Sequence, residues 1–203
     1  METILYVLLF SVCGILCCFF SAGGIDERKT FHRKLKDQGM RKQFAVLFLC
    51  TMTIGVYAFW LFRSLRDILP FMAMATFALS ITPEDIRAHE IRTSTILCFA
   101  LIFLLVQASR RNVFDFLDSG LGVFVALFTL GLPHLFRKSW VGGGDVLSVA
   151  ACGILLGAVG TVQLLFRMFL MIVIYSVVLL IMKKATMKSE IPLAPFLLLA
   201  ILF

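Results

Sequence analysis

Two aspartates are the residues of this chain whose type and placement could do chemistry. Asp85 lies in the segment Thr82–Arg87 (TPEDIR), and Asp145 directly follows the three glycines Gly142–Gly144. Each aspartate lies at the edge of a long apolar run, where an ionisable side chain is costly and by default marks a functional site. Two carboxyl groups that share one proton can act together on a water molecule, one as general base and one as general acid. The pair therefore predicts a water-activating site.

The elements that must position these residues are membrane helices. The chain has 203 residues, of which 61% are hydrophobic and 15% charged, and its mean hydropathy is +1.00. Soluble domains average about 45–50% apolar residues. Such a composition predicts an all-α, polytopic transmembrane bundle of about eight helices, forming a single membrane-embedded domain over residues 1–203. The eight apolar runs fall at about 3–22, 43–62, 69–82, 93–108, 114–135, 146–160, 162–182 and 191–203.

The basic residues predict the orientation of these helices. If the loop after the first helix is cytoplasmic and the loops then alternate, fourteen of the nineteen Lys and Arg residues lie on the cytoplasmic side. This asymmetry follows the positive-inside rule. The short basic loop at residues 25–42 contributes much of it. The net charge of +7 therefore indicates contact with anionic lipid head groups and no nucleic-acid partner.

The same orientation decides which acids can meet. Asp85 precedes the fourth run and Asp145 the sixth, so both are predicted on the cytoplasmic side. Asp115 and Asp118 begin the fifth run on the opposite side, about 30 Å away across the hydrocarbon core. Asp85 and Asp145 are therefore the predicted catalytic pair.

Glycines surround the second aspartate. Gly142, Gly143 and Gly144 lack Cβ atoms, so this segment can adopt strained angles and admit an extended peptide beside Asp145. They are predicted to bind substrate. Gly153 and Gly157 form a small-xxx-small pair, which is expected to hold the Asp145 helix close to the Asp85 helix.

The cysteines indicate no metal site. All six lie inside apolar runs, and none forms a C-x-x-C pair. They are interpreted as small packing residues. Neither a metal nor a cofactor is predicted.

The motifs resemble those of a known family. Gly142-Gly143-Gly144-Asp145 resembles the G-x-G-D signature of the type IV prepilin peptidases, which are aspartic membrane proteases. The segment Asp85–Ile91 is similar to that family's first aspartate motif, and Ile191–Phe196 is similar to its C-terminal proline-containing segment. The resemblance implies that Asp85 and Asp145 catalyse cleavage of prepilin or pseudopilin leader peptides. It also implies a multi-pass protein of the inner (cytoplasmic) membrane that cleaves at the cytoplasmic face.

The chain also departs from the family pattern. Arg92 follows Ile91 where the family commonly has proline, and Leu147 replaces a frequent lysine. Many members carry a cysteine-rich, zinc-binding insert after the first helix, which is associated with N-methylation of the product. This chain has only the short loop 25–42 there. We therefore expect a short form that retains the peptidase and lacks the methyltransferase.

Three alternatives remain on sequence grounds. A presenilin-like protease shares the G-x-G-D logic but cuts inside transmembrane helices. A non-enzymatic pilus or secretion assembly factor would tolerate loss of either carboxylate. A proton-coupled transporter would show two repeated halves with broken helices, and no such repeat is visible.

Overall fold

The described part of the chain is helical throughout. The computed structural model describes residues 11–17, 38–62, 65–88, 90–109, 113–136, 141–182 and 191–203, and these contain no strand. The all-α prediction is confirmed for them. The helices are α1 (residues 11–17), α2 (Gln38–Leu61), α3 (Leu65–Ala88), α4 (Thr93–Ser109), α5 (Val113–Ala126), α6 (Leu132–Phe136), α7 (Gly143–Ile181) and α8 (Ala194–Leu202), with a π-helical turn, Leu127–Gly131, between α5 and α6.

Two stretches in the described residues have the length and composition of membrane spans. They are Phe116–Phe136, which joins α5 to α6, and Gly143–Ile181, with mean hydropathies of 1.7 and 2.7. Ala45–Leu61 and Thr93–Ser109 are shorter apolar helices. The described residues therefore contain two candidate membrane spans, by length and composition. The predicted total of about eight helices stays a prediction, since the first apolar run lies largely outside the described residues.

Helices α3 and α7 carry the two aspartates, and two other helices bridge them. Both α4 and α8 pack against α3 and against α7. On the α4 side the contact is aromatic: the ring of Phe77 in α3 lies 5.2 Å from that of Phe99 and 5.6 Å from that of Phe103. All three rings are fully buried. These contacts fix α3 and α7 relative to each other.

Helix α7 consists of two segments that meet at Gly157. A straight helix of 39 residues would be about 58 Å long, roughly twice the hydrocarbon thickness of a bilayer. Gly157 has φ 68° and ψ −173°, which interrupts the helix. This is a left-handed φ that residues with a side chain rarely adopt. The apolar runs 146–160 and 162–182 predicted a break near residue 161. In the structure the break lies at Gly157, four residues earlier.

The chain reverses direction at Gly157. The first segment of α7 leads away from Asp145, and residues on both sides of the break line one cavity with Asp67 at the far end of α3. Further along the second segment, the ring of Tyr175 lies 5.2 Å from that of Phe196. Phe196 is two residues beyond Ala194, which contacts Asp85. The second segment therefore returns toward the aspartates, and α7 is a helical hairpin.

The small residues of α7 pack against a different helix from the one predicted. A Cβ atom on Gly153 would lie 2.8 Å from the backbone carbon of Gly122 in α5, and one on Gly122 would lie 2.5 Å from the Gly153 carbonyl oxygen. The seam thus joins α7 to α5. The expectation that Gly153 and Gly157 hold the Asp145 helix against the Asp85 helix is wrong, because α4 and α8 bridge those helices.

Candidate active site

Asp85 is buried in the last turn of α3. Its side chain is 4% exposed, and its Oδ2 accepts a hydrogen bond from the backbone N–H of Ala194 at 2.7 Å. Ala194 is the first residue of α8, so the carboxylate lies at the positive end of that helix. Asp85 precedes the fourth helix as predicted, but it lies within α3, which continues through Pro83 to Ala88, beyond the predicted end of the third run at residue 82.

Asp145 lies in the first turn of α7. The helix has Gly142 at its N-cap, and the Asp145 backbone N–H donates to the Gly142 carbonyl oxygen at 3.1 Å. In return, the Asp145 carboxylate lies against Gly142, because a Cβ atom on Gly142 would be 3.0 Å from the Asp145 Oδ2, and the backbone N–H of Gly142 stabilises the carboxylate charge. This arrangement resembles a capping box at the start of the helix. It also fixes the direction in which the carboxylate points.

The structure brings the two predicted aspartates together. Their carboxyl groups are close enough for their charges to interact. Two neighbouring carboxylates repel each other when both are ionised, so such a pair tends to retain one proton. A main-chain N–H also stabilises a negative charge on each carboxyl group: the Ala194 N–H donates to Asp85, and the Gly142 N–H acts on Asp145. The arrangement can supply a base and an acid at one place.

The three glycines are more ordered than the sequence predicted. Gly142 has φ −66° and ψ 141°, which any residue can adopt, and Gly143 and Gly144 belong to the first turn of α7. What requires a glycine is close approach: a Cβ atom on Gly144 would lie 3.1 Å from Cβ of Ile91. Gly142 and Gly143 are exposed beside Asp145. The strained angles that glycine permits are therefore not adopted at these three positions.

An ion pair holds the segment that covers Gly144. Nε of Arg92 lies 3.5 Å from Oε1 of Glu84, which is the residue before Asp85. This ion pair connects the start of α4 to the end of α3. Ile91, in the segment between these two helices, packs against Gly144 of α7. Arg92 is the residue that replaces the family's common proline. The salt bridge gives that departure a structural function.

Asp118 is remote from the pair. The Asp118 Oδ1 accepts a hydrogen bond from the Ala158 backbone N–H at 3.0 Å, at the turn of the α7 hairpin. That turn is twelve residues, or about 18 Å of helix, from Asp145. Asp118 is therefore separated from the site, although by less than the hydrocarbon thickness of about 30 Å that the sequence predicted. The side chain of Asp115 lies outside the described residues.

Sequence reasoning missed two participants. One is the main-chain N–H of Ala194, because a backbone donor leaves no mark in a sequence beyond the prolines that flank it. The other is His134, whose Nδ1 lies 2.7 Å from the Val141 carbonyl oxygen. Its spacing from other potential ligands matched no metal motif, so the pattern gave no signal for a contact to a backbone carbonyl.

Comparison with known proteins assigns the chain to a family. A sequence model of the type IV leader peptidase family matches residues 72–181, which is more than half of the chain. The matched range contains Asp85, Gly142–Gly144 and Asp145, together with α4, α5 and the α7 hairpin. No curated protein and no solved structure gives a significant match. The chain therefore belongs to the type IV leader peptidase family.

Proposed function

We propose that this protein is an aspartic endopeptidase that removes the leader peptides of type IV prepilins or pseudopilins. Membership of the leader peptidase family supports the reaction class. The observation that carries the choice of residues is the proximity of the Asp85 and Asp145 carboxyl groups, which come from two different helices. Among the other described acids, Glu84 is bound to Arg92, Asp67 and Asp118 lie at the far end of the bundle, and Glu90 is exposed in the connection between α3 and α4.

The mechanism uses the pair as a unit. The ionised carboxylate takes a proton from a water molecule as that water attacks the scissile carbonyl carbon. The protonated carboxyl group donates its proton to the carbonyl oxygen, which gives a tetrahedral gem-diol. As the C–N bond then breaks, one carboxyl group donates a proton to the leaving amine and the other takes a proton from a diol hydroxyl, so the pair again holds one proton. The N–H groups of Ala194 and Gly142 hold the two carboxyl groups in place throughout. Because the groups titrate together, neither aspartate is assigned as the resting acid.

An extended substrate strand has a place beside Asp145. Gly142 and Gly143 are exposed and present a surface without side chains at the start of α7. A peptide backbone can approach such a surface closely. Gly144 contributes differently, because Ile91 covers it. We therefore assign substrate contact to Gly142 and Gly143 and a packing function to Gly144.

Cleavage at the membrane edge is favoured over cleavage inside a transmembrane helix. Asp85 lies in the last turn of α3 and Asp145 in the first turn of α7, so both carboxyl groups lie at helix ends. The positive-inside rule places that end of the bundle in the cytoplasm. A presenilin-like protease would need its carboxyl groups further along the helices.

One experiment tests the proposal. The purified protein in detergent is incubated with a prepilin that has a basic leader and a hydrophobic helix, and the products are analysed by mass spectrometry. We expect a single cut at the junction of leader and helix. An intact substrate would contradict the proposed function, and cuts within the hydrophobic helix would favour the presenilin-like alternative.

The same assay separates an enzyme from an assembly factor. An assembly factor would work without either carboxylate, whereas the peptidase requires both. Restoration of pilus or secretion assembly in cells by the Asp145→Asn variant, with the prepilin left uncleaved, would support the assembly factor.

A further inference from the structure

His134 is connected to Asp145 through one peptide unit. The imidazole Nδ1 of His134, in the short helix α6, lies 2.7 Å from the carbonyl oxygen of Val141. A carbonyl oxygen can only accept a hydrogen bond, so Nδ1 carries the hydrogen. The Val141 carbonyl and the Gly142 N–H belong to the same peptide group. The Asp145 carboxylate lies against Gly142, since a Cβ atom on Gly142 would be 3.0 Å from the Asp145 Oδ2, and this N–H stabilises the carboxylate charge.

The peptide group transmits the orientation of one bond to the other. A trans peptide is planar, so its C=O and N–H point in opposite directions. Anchoring the carbonyl of Val141 on His134 therefore directs the N–H of Gly142 toward Asp145. Hydrogen bonds in such a chain also polarise and strengthen one another.

This peptide needs an anchor from outside the helix. Gly142 is exposed, is the N-cap of α7 and has an extended conformation. With no Cβ atom, it has more alternative conformations than other residues. The imidazole also packs on the first turn: a Cβ atom on Gly143 would lie 3.6 Å from Cε1 of His134. Both contacts restrict rotation of the Val141–Gly142 peptide.

We propose that His134 is a positioning residue for Asp145, which orients the Val141–Gly142 peptide so that its N–H holds the carboxylate in the reactive direction. The inference rests on the proposed peptidase function. It assigns His134 no contact with substrate and no proton transfer of its own. Its effect is on the rate of the chemical step and not on substrate binding.

Two substitutions test the hydrogen bond. His134→Leu keeps an apolar side chain of moderate size and removes the donor. His134→Asn retains an N–H donor close to the position of Nδ1. In the prepilin cleavage assay we expect His134→Leu to lower kcat about ten-fold to a hundred-fold with little change in KM, because small misplacements of catalytic groups have effects of this size. We expect His134→Asn to recover most of the lost kcat.

A matched control lies next to His134. Leu135 is on the same short helix with its side chain 77% exposed. Leu135→Ala should leave kcat unchanged. The thermal unfolding midpoint of each variant in detergent shows whether a loss of kcat reflects loss of folded protein.

The outcomes separate the inference from the proposed function. If the wild-type protein does not cleave prepilin, both are overturned. If wild type cleaves and His134→Leu retains its kcat, the positioning function is wrong and the peptidase stands. Equal losses in His134→Leu and His134→Asn would also overturn it, because the hydrogen bond would then not be the cause.

A measurement without substrate adds an independent check. In long-range ¹H–¹⁵N spectra of histidine-labelled protein, the His134 signals are assigned by their loss in His134→Asn. We expect hydrogen on Nδ1. The tautomer with hydrogen on Nε2 would contradict the bond to Val141 and overturn the inference.

Discussion

The backbone N–H of Ala194 donates a hydrogen bond to Oδ2 of Asp85 across 2.7 Å, although 109 residues separate the two in sequence. The orientation of Asp85 therefore depends on where α8 begins. Pro195, in the first turn of α8, has a fixed φ suited to a helix start and no N–H of its own. The proline-containing segment Ile191–Phe196 is similar to a family motif, and in the structure it positions the Ala194 N–H to donate a hydrogen bond to Asp85.

Replacing either aspartate should stop cleavage. Asn has nearly the size of Asp but cannot exchange the proton, so Asp85→Asn and Asp145→Asn should each lower kcat at least about 10²–10⁴-fold. Both variants should still be found in the membrane fraction. Asp67→Asn, at the other end of α3, is the matched control and should cleave normally. Near wild-type processing by either catalytic variant would refute the two-aspartate mechanism.

Asp118 should matter for stability and not for catalysis. Its carboxylate caps the Ala158 N–H at the turn of the α7 hairpin. Asn supplies an equivalent acceptor, so Asp118→Asn should be nearly silent. Asp118→Ala removes the acceptor and should destabilise the protein by about 1 kcal/mol, the usual value of a helix cap. Thermal unfolding in detergent measures this, and equal midpoints for the Ala and Asn variants would contradict the capping function.

Gly144 should tolerate little increase in size. A Cβ atom there would lie 3.1 Å from Cβ of Ile91 and 3.4 Å from the Ile91 carbonyl oxygen. Gly144→Ala requires Ile91 to move slightly, whereas Gly144→Val adds two further methyl groups against its backbone. We expect a modest loss of kcat for Ala and a severe loss for Val. A Gly144→Val variant that cleaves at the wild-type rate would show that Ile91 is not held against α7.

Gly153→Ala should be damaging, because the contact between α7 and α5 leaves no room for a side chain at this position. The added Cβ would lie 2.8–3.0 Å from backbone atoms of Gly122 and Val123, which cannot move aside as a side chain can. Separating α5 from α7 should cost about 1–3 kcal/mol. Gly120→Ala, where a Cβ meets nothing within 4 Å, is the control and should unfold at the wild-type midpoint.

The product should carry an unmethylated N-terminus when this protein acts alone. The loop at residues 25–42 contains no cysteine, and a zinc-organised insert of the kind associated with methyl transfer cannot be built from cysteines scattered through apolar runs. Product mass is measured with S-adenosylmethionine present. A gain of one methyl group that depends on this protein would show that other loops transfer it.

The two aspartates could be predicted because an ionisable side chain in an apolar segment has a high free-energy cost and is therefore rarely present without a function. The helices and residues that surround the aspartates could not be predicted. The apolar run of α3 stops at Thr82 and a proline follows, so the helix was expected to end there. It continues because tertiary contacts override local propensity: Asp85 in that turn is buried and its carboxylate accepts a hydrogen bond from the first residue of α8. The helix that packs against Gly153 could not be predicted either, since a pattern of small residues indicates close packing but does not identify the partner helix.

The hairpin turn at Gly157 also constrains how the protein is made. A break inside an apolar segment exposes N–H groups that lipid cannot satisfy. The acceptor for Ala158 is Asp118, on another helix, and α5 precedes α7 in the chain. Asp118, the acceptor, is therefore synthesised before Ala158, the donor. The α7 hairpin can pack against α5 while α7 is still being synthesised. A circular permutant that placed α7 ahead of α5 would have to hold the turn open until its cap arrived.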